Sequence, residues 1–561
     1  MLFDSIPNVK DVIDVVDEFF KENYRDFSDE AKKSHPIMPP KSSKIIRDAV
    51  WGTNRFDWYE MAVIDSPILQ RLRYLHQVGF GTYVYPSATH SRFNHSLGTS
   101  IIAGKVFDNL LSRKRETLEQ IATSINKSDN SEKTLKKMRQ EVRLAALLHD
   151  SGHTMFSHSS EPVHLEIDLL ANAREELSLL AGKPRSTGEV LSFCISQSVF
   201  LRKLLERYKR NIPKKTSNLF PELLADLDNV SLMIIGRTKH PYSQFLGDII
   251  SSGFDADKLD YLMRDGRATG LPVSYDLDRY LQFVSVDLTE SHLDDPQSLR
   301  WVELLYGEEK EKGQVLKEYR LKIPQDAITS MEEIIIGKFM LFGYMYHHSK
   351  VRGIDSYLER VLKEEVIKLK ERRISDKDLI KWMLSTNDAV IVALPYLRNI
   401  LVKDNFYSQN LIDCAYRIST RTLPREILGI NGSAVSNATA TNIINFITKL
   451  QDKDRRDSIL ADIEDQLRAA LPVQNATFWV DAPPAPNFED VKNIIGGRTP
   501  FNNLFPVDKW MEAYMAYTYK VRVFTFSEYV DAVVKAVSTV MPRILGVESE
   551  VINSFLRNRE K

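Results

Sequence analysis

Histidine and aspartate recur at three places along this chain in a pattern suited to metal chemistry. Residues 147–153 read Leu147-Leu148-His149-Asp150-Ser151-Gly152-His153, an apolar run that abruptly sets His beside Asp. Upstream stands Ser91-Arg92-Phe93-Asn94-His95-Ser96-Leu97-Gly98, and downstream Asp255-Ala256-Asp257-Lys258-Leu259-Asp260-Tyr261. His95, His149, Asp150 and Asp257 would offer two imidazoles and two carboxylates to one divalent metal. A mixed nitrogen and oxygen shell suits Mn, Fe, Zn or Mg and leaves positions open for water and substrate. The chemistry implied is metal-assisted hydrolysis.

The elements that must position these groups are helices. Leu144, Ala145, Leu147 and Leu148 mark the stretch before His149 as buried helix. An Asp at the end of such a run is costly to bury unless it is paired or bound to metal. His149 and His153 lie four residues apart and so share a helical face. A single histidine here reads best as a satisfied core residue; the adjacent His-Asp pair with His95 and Asp257 reverses that preference.

The stretch from Ile64-Asp65-Ser66-Pro67 through Gln70-Arg71-Leu72-Arg73-Tyr74-Leu75, Gln77-Val78-Gly79 and Tyr85-Pro86-Ser87-Ala88-Thr89-His90 to the His95 segment resembles the HD-domain deoxynucleotide triphosphohydrolases. The likeness runs on through Phe156-Ser157-His158 and Asp257 to Asp265, and ends near Tyr346-His347-His348 and Asp355. That family includes the bacterial dGTPases and the SAM-and-HD-domain dNTPase of animals. The resemblance covers roughly residues 44–360. It implies a mainly α fold, an HD helical core with a few short strands, and cleavage of a dNTP to deoxynucleoside and triphosphate. It implies His95, His149, Asp150 and Asp257 as metal ligands, and Arg92, Lys258, Tyr261 and Lys338 around the triphosphate, with Lys338 where relatives usually have arginine. Asp265 lies on the helical side of Tyr261. Gln77, Val78 and Tyr346 match positions near the deoxyribose. His153 and His158 match histidines near the scissile phosphate, where one could act as general acid or base.

One departure stands out. Relatives carry Thr-His-Glu after the HD helix, whereas this chain has Thr187-Gly188-Glu189. Either His164 or another group substitutes, or the loop is differently aligned, or catalysis is weakened or redirected.

Composition fits an intracellular enzyme. The 561 residues are 43% hydrophobic, ample for a large core. Lys+Arg 75 nearly balances Asp+Glu 76, so no global charge argues for nucleic acid or membrane. Cys194 and Cys414 make no disulfide framework, and residues 1–7 show no signal-peptide pattern. A cytoplasmic location is therefore expected, with no membrane span. Basic residues at Arg202, Lys203, Arg207, Lys209, Arg210, Lys214 and Lys215, and at Lys368, Lys370, Arg372 and Arg373, read best as solvated faces. In relatives, such patches can bind a regulatory nucleotide or single-stranded nucleic acid.

Three regions are expected: a helix and arm (1–43), the phosphohydrolase core (44–360), and a helical C-terminal region (361–561), regulatory or oligomerising. The proline-rich 34–43 reads as a linker, 127–131 as a loop, and 301–305 and 319–323 as short strands flanking a charged turn. Helices dominate from Glu332, interrupted at Pro395, Pro424 and Pro472, with punctuation at 428–433 and 481–486. The expected partners are a dNTP, further copies of the chain in a tetramer or hexamer, and an activating nucleotide. Two other readings remain: another HD phosphohydrolase acting on a cyclic or modified nucleotide or single-stranded DNA, and a nucleotide sensor with little turnover. The metal quartet argues against the sensor, the Gln77, Lys258, Tyr261 and Tyr346 set against a plain phosphodiesterase. A role in antiviral defence is compatible with dNTP depletion but is written in no residue.

Overall fold

A computed structural model describes residues 6–24, 41–126, 130–293, 296–307, 311–401, 407–431, 437–473, 475–484, 495–496 and 506–556. Most of the proline-rich arm, the centre of the 127–131 loop, the charged turn after Gly307 and residues 432–433 and 485–486 of the expected punctuation lie outside them; of the loop expected at 428–433, residues 428–430 instead belong to the strand Arg425–Ile430.

The fold is mainly α, as the sequence implies. Its centre is an antiparallel pair, helix Arg92–Arg113 against helix Ser131–Leu148, crossed by helix Ala256–Thr269. Leu144 to Leu148 are fully buried, so the last turns of the central helix are apolar on every side. Good helix formers at these positions let burial and propensity agree. The ends are set by side chains: Ser91 and Asn94 form a capping box, Asn130 accepts from the Glu132 amide, and Asp255 accepts from the Lys258 amide. These caps fix where His95 and Asp257 enter the first turns of their helices, while His149 closes the last turn of the central one. Deep in this layer Arg143 donates to Glu60 at 2.5 Å.

The N-terminal helix Pro7–Asn23 packs into the same core rather than standing apart. Val9, Val12, Val16 and Phe20 face inward, and Asp17 accepts from the Val199 and Phe200 amides at 3.0 and 2.8 Å, capping the helix Val199–Arg210. That capped helix carries the first basic segment; Arg202 pairs with Asp228, and Lys203, Lys209 and Arg210 are exposed.

The sequence places a strand at 301–305, where the structure has helix Pro296–Tyr306. Trp301, Val302 and Leu305 repeat at helical spacing and pack with Leu293 and Leu316. The strand expected near 319–323 is present as Val315–Pro324, and its partner, Ser285–His292, is antiparallel to it. Beyond residue 406 a second core forms around a three-stranded antiparallel sheet, with Val521–Thr525 between Arg425–Ile430 and Phe478–Asp481. The expectation of a helical C-terminal region did not include this sheet. Pro424 immediately precedes its first strand, whereas Pro395 lies inside helix Asp388–Leu401. Among the described residues no helix is long and apolar enough to cross a membrane.

The polar core offers a stability test. Glu141, 2% exposed, accepts from the Asp226 amide and the Asn229 side chain. Burial lifts its carboxyl from 4.5 to about 7. A raised folded-state value leaves stability intact below the unfolded value and removes it as pH rises through the folded one. Glu141→Gln should therefore match wild type at about pH 4.5 and exceed it by on the order of 2 kcal/mol near pH 8, read by urea unfolding at both pH values.

Candidate active site

The two imidazoles are each anchored on one side. His95, fully buried, places Nδ1 2.7 Å from Asp260 Oδ2. His149 donates from Nδ1 to the Ala146 carbonyl at 2.7 Å. Both anchors accept, so Nδ1 carries a proton in each ring and Nε2 is the atom left to give a lone pair to a cation once its own proton is lost. The Nε2 atoms are buried and without hydrogen-bond partners. His95 Nε2 stands 2.9 Å from Asp257 Oδ1 without the alignment of a hydrogen bond, and 3.6 Å from Asp150 Oδ2. His149 Nε2 lies 3.4 Å from Asp150 Oδ1 and 3.8 Å from Asp257 Oδ1. Ligating atoms of His95, His149 and Asp257 all fall within 4.8 Å of one another. The four residues singled out in sequence thus converge, with Asp150 partly engaged elsewhere: Arg92 Nη1 donates to its Oδ2 at 2.5 Å.

The electrostatics describe a site with surplus negative charge. Burial works against the charged form of Asp150, yet Arg92, His149 and His153 hold its carboxyl well below the usual range. Asp257 is likewise held low by His149 and His95 against its burial. Burial would lower His95, but Asp257, Asp260 and Asp150 outweigh it and lift the imidazole to about 10. Orphaned nitrogens facing paired carboxylates fit a divalent cation, for which neutral imidazole and ionised carboxylate are the binding forms.

Behind His95 stands a buried support. Asp260 is held by Arg264 through Nε and Nη2 at 2.8 and 2.9 Å and by the Trp51 indole, and Arg264 also reaches Asp48 at 2.9 Å. Gly98 makes this possible: a Cβ there would lie 1.9 Å from Asp260 Oδ1.

A second group flanks the first. His153 Nε2 is 3.2 Å from Asp150 Oδ1, and its Nδ1 is 3.5 Å from Glu161 Oε1. His158 Nδ1 lies 3.2 Å from Glu161 Oε2, and its side chain is 72% exposed. Burial and Arg92 bring His153 down to about 4, so it is neutral at physiological pH. Glu161 falls to about 2 because His158 and His153 outweigh its burial. Ligating atoms of His153, His158 and Glu161 also lie within 4.8 Å of one another.

Gly188 borders this group. A Cβ on it would stand 2.7 Å from Glu161 Oε1 and 3.1 Å from His153 Cε1, so Glu161 and His153 crowd the space a side chain would need. His164 does not substitute: fully buried, it engages the Thr154 and Thr187 hydroxyls through its two ring nitrogens at 2.9 and 2.7 Å.

The groups assigned to substrate lie at varied depth. Asp265 is gripped by His90 at 2.6 Å and by the Tyr346 hydroxyl at 2.5 Å. Tyr261, four residues before Asp265, is half-buried, and burial and Asp257 push its hydroxyl upward. Gln77 donates from its backbone N–H to the His90 carbonyl and leaves Oε1 buried without a partner; Val78 is 6% exposed. Arg92 is buried, with Nε on Ser157 and Nη2 unpartnered. Lys258 is tied back to the Ser252 carbonyl and Asp255, and Lys338 has its ammonium 5.8 Å from the Phe342 ring centre. Sequence reasoning missed His90, Asp260 and Glu161. The i+3 spacing of Asp257 to Asp260 and of His158 to Glu161 was the available signal.

The architecture is that of an HD-type helical domain with a cluster of histidines and aspartates that could hold a metal. No family model matches the chain. Over 253 residues, 43% of this chain, it is 32% identical to the deoxynucleoside triphosphate triphosphohydrolase SAMHD1 of Bos taurus, spanning 38% of that protein. It is 27% identical over 378 residues to an uncharacterized protein of Methanocaldococcus jannaschii, covering 66% of this chain and 60% of that one. A putative HD domain-containing protein of Acanthamoeba polyphaga mimivirus is 21% identical over 486 residues, 83% of this chain and 85% of that one. These relatives bear out the resemblance to the HD-domain dNTP triphosphohydrolases carried by the motifs. The chain spans only 60% or less of the first relatives it matches.

The support behind His95 yields an expected outcome. Asp260→Ala should weaken divalent-metal affinity about 10–100-fold, measured by competition with a chromophoric chelator, because ligand orientation depends on such partners.

Proposed function

We propose that the chain is a metal-dependent deoxynucleoside triphosphate triphosphohydrolase, converting a dNTP and water to a deoxynucleoside and triphosphate. The observation that carries this reading is the pair of orphaned Nε2 atoms facing Asp150 and Asp257, beside histidines arranged for proton transfer. His95, His149, Asp150 and Asp257 would hold one Mn, Mg, Fe or Zn ion. That ion supplies a Lewis acid that activates water and polarises a phosphoryl oxygen.

The chain's own residues do the rest. Water attacks the α-phosphorus as the bond to the 5′ oxygen breaks, and that oxygen must receive a proton. His158, exposed and backed by the ionised Glu161, is the general acid in this reading. His153, held neutral beside Asp150, orients the reacting face. Arg92, Lys258 and Lys338 balance charge on the triphosphate, with Lys258 and Lys338 turning from their present contacts. Asp265, locked by His90 and Tyr346, makes with Tyr261 a rigid wall, and Gln77 and Val78 line the sugar side, where a close fit rejects a 2′-hydroxyl. The Gly188 position lacks the relatives' histidine, which places the burden of protonation on His158. The reading goes with a cytoplasmic homo-oligomer, a tetramer or hexamer, answering to an activating nucleotide.

Incubation with each dNTP and NTP, singly and mixed, with Mn or Mg and chromatographic resolution of products tests it. Deoxynucleoside and triphosphate should form, and His149→Ala and Asp150→Ala should abolish both. No product from any mixture would contradict the assignment. His158→Asn should lower kcat by about 10²–10⁴ while metal content is unchanged, since only proton transfer is removed.

A further inference from the structure

The turn that carries His158 is held in an unfavourable backbone conformation by groups from far along the chain. Phe156 and Ser157 both adopt positive φ, 54° and 55°. Side chains with a Cβ disfavour this region, and it persists only where surrounding contacts over-determine it. Ser157 is engaged within the core, by Arg92 and the His76 carbonyl.

Two further fasteners come from residues outside the catalytic set, and each is rooted beyond residue 360. Asp388, at the start of helix Asp388–Leu401 and 3% exposed, accepts from the Phe156 amide at 2.6 Å. Its other oxygen accepts from the His76 amide at 2.8 Å and from His76 Nδ1 at 2.9 Å, beside Gln77. At the other end of the turn the Ser159 hydroxyl donates to Asp355 Oδ1 at 2.7 Å. Asp355 lies 3.7 Å from Arg352, which donates to both oxygens of Asp481 at 2.6 and 3.2 Å. Asp481 ends a strand of the C-terminal sheet, where its 5% exposure and the neighbouring Trp479–Ser356 bond hold it against helix Ser349–Glu371.

We propose that Asp388 and Asp481 are positioning residues that fasten the Phe156–Ser159 turn from both ends, so that the C-terminal third of the chain is part of the scaffold that sets His158 beside Glu161. The fastening rests on contacts alone; its consequence for turnover rests on the dNTP hydrolase reading. A charged acceptor serving three N–H donors, and an Arg fork on a carboxylate, are the stronger kinds of hydrogen bond.

Amide hydrogen exchange by mass spectrometry on the full chain, with kinetics and metal content in parallel, tests this with Asp388→Ala, Asp388→Asn and Asp481→Asn. In Asp388→Ala, exchange should rise by about tenfold in peptides covering 154–160 and 76–78, with 142–148 and 256–269 unchanged. Asp481→Asn should raise exchange at 154–160 and leave 76–78 alone. Asp388→Asn, which keeps an acceptor, should fall between wild type and Asp388→Ala, and it decides the matter if the alanine variant does not fold. In each, kcat should drop with KM and bound metal preserved. Unchanged exchange at 154–160, or a uniform rise that includes 142–148, would overturn the proposal. A wild type inert toward every dNTP would sink the hydrolase reading while the exchange pattern still decides the fastening.

Discussion

Everything in this molecule turns on the pairing of buried imidazoles with buried carboxylates around one point. His95 and His149 have their Nδ1 atoms fixed by Asp260 and a main-chain carbonyl, which leaves both Nε2 atoms directed at Asp150 and Asp257. Charged groups this deep are tolerated only when compensated, and the two aspartates outnumber the fixed positive charge that Arg92 brings. A divalent cation would resolve the imbalance. Without one, the imidazoles are drawn toward protonation, as the upward displacement of His95 shows.

The scaffold meets this constraint by placing each of these side chains at a helix end. His95 and Asp257 enter at capped N-termini, where the chain direction is fixed by Ser91 and Asp255, and His149 leaves at a C-terminus. Small residues let the layers close: Gly98 admits the Asp260 and Arg264 pair, and Gly188 leaves room for Glu161 and His153. The same close packing explains why the hairpin of strands Ser43–Asp48 and Gly52–Asp57, through Asp48 and Trp51, is joined to the Asp260 and Arg264 pair behind His95 rather than merely resting on it.

The convergence of His95, His149, Asp150 and Asp257 was legible in sequence because motif order and the apolar run before His149 restrict where each could go. The mainly α fold was legible for the same reason, with helical periodicity in long segments. Asp260 was not, since it is defined by His95 and Trp51, each more than a hundred residues away in the chain, and Glu161 was not, since only the fold sets it between His153 and His158. Asp388 carried no local signal at all, being one Asp at a helix start. The helix Pro296–Tyr306 reads as a strand from Trp301 to Leu305 because a five-residue stretch with four apolar side chains cannot separate the two periods. The C-terminal sheet was hidden because its central strand Val521–Thr525 is buried on both faces and lacks alternation. Only Pro424 marked its edge.

The central claim, one divalent ion held by two imidazoles and two carboxylates, is tested most directly by X-ray absorption at the metal edge of the Mn- or Fe-loaded chain. One ion per chain with two imidazole nitrogens and carboxylate oxygens at about 2.0–2.2 Å is the predicted shell. A shell of oxygen alone, or occupancy that survives loss of both His95 and His149, would contradict it.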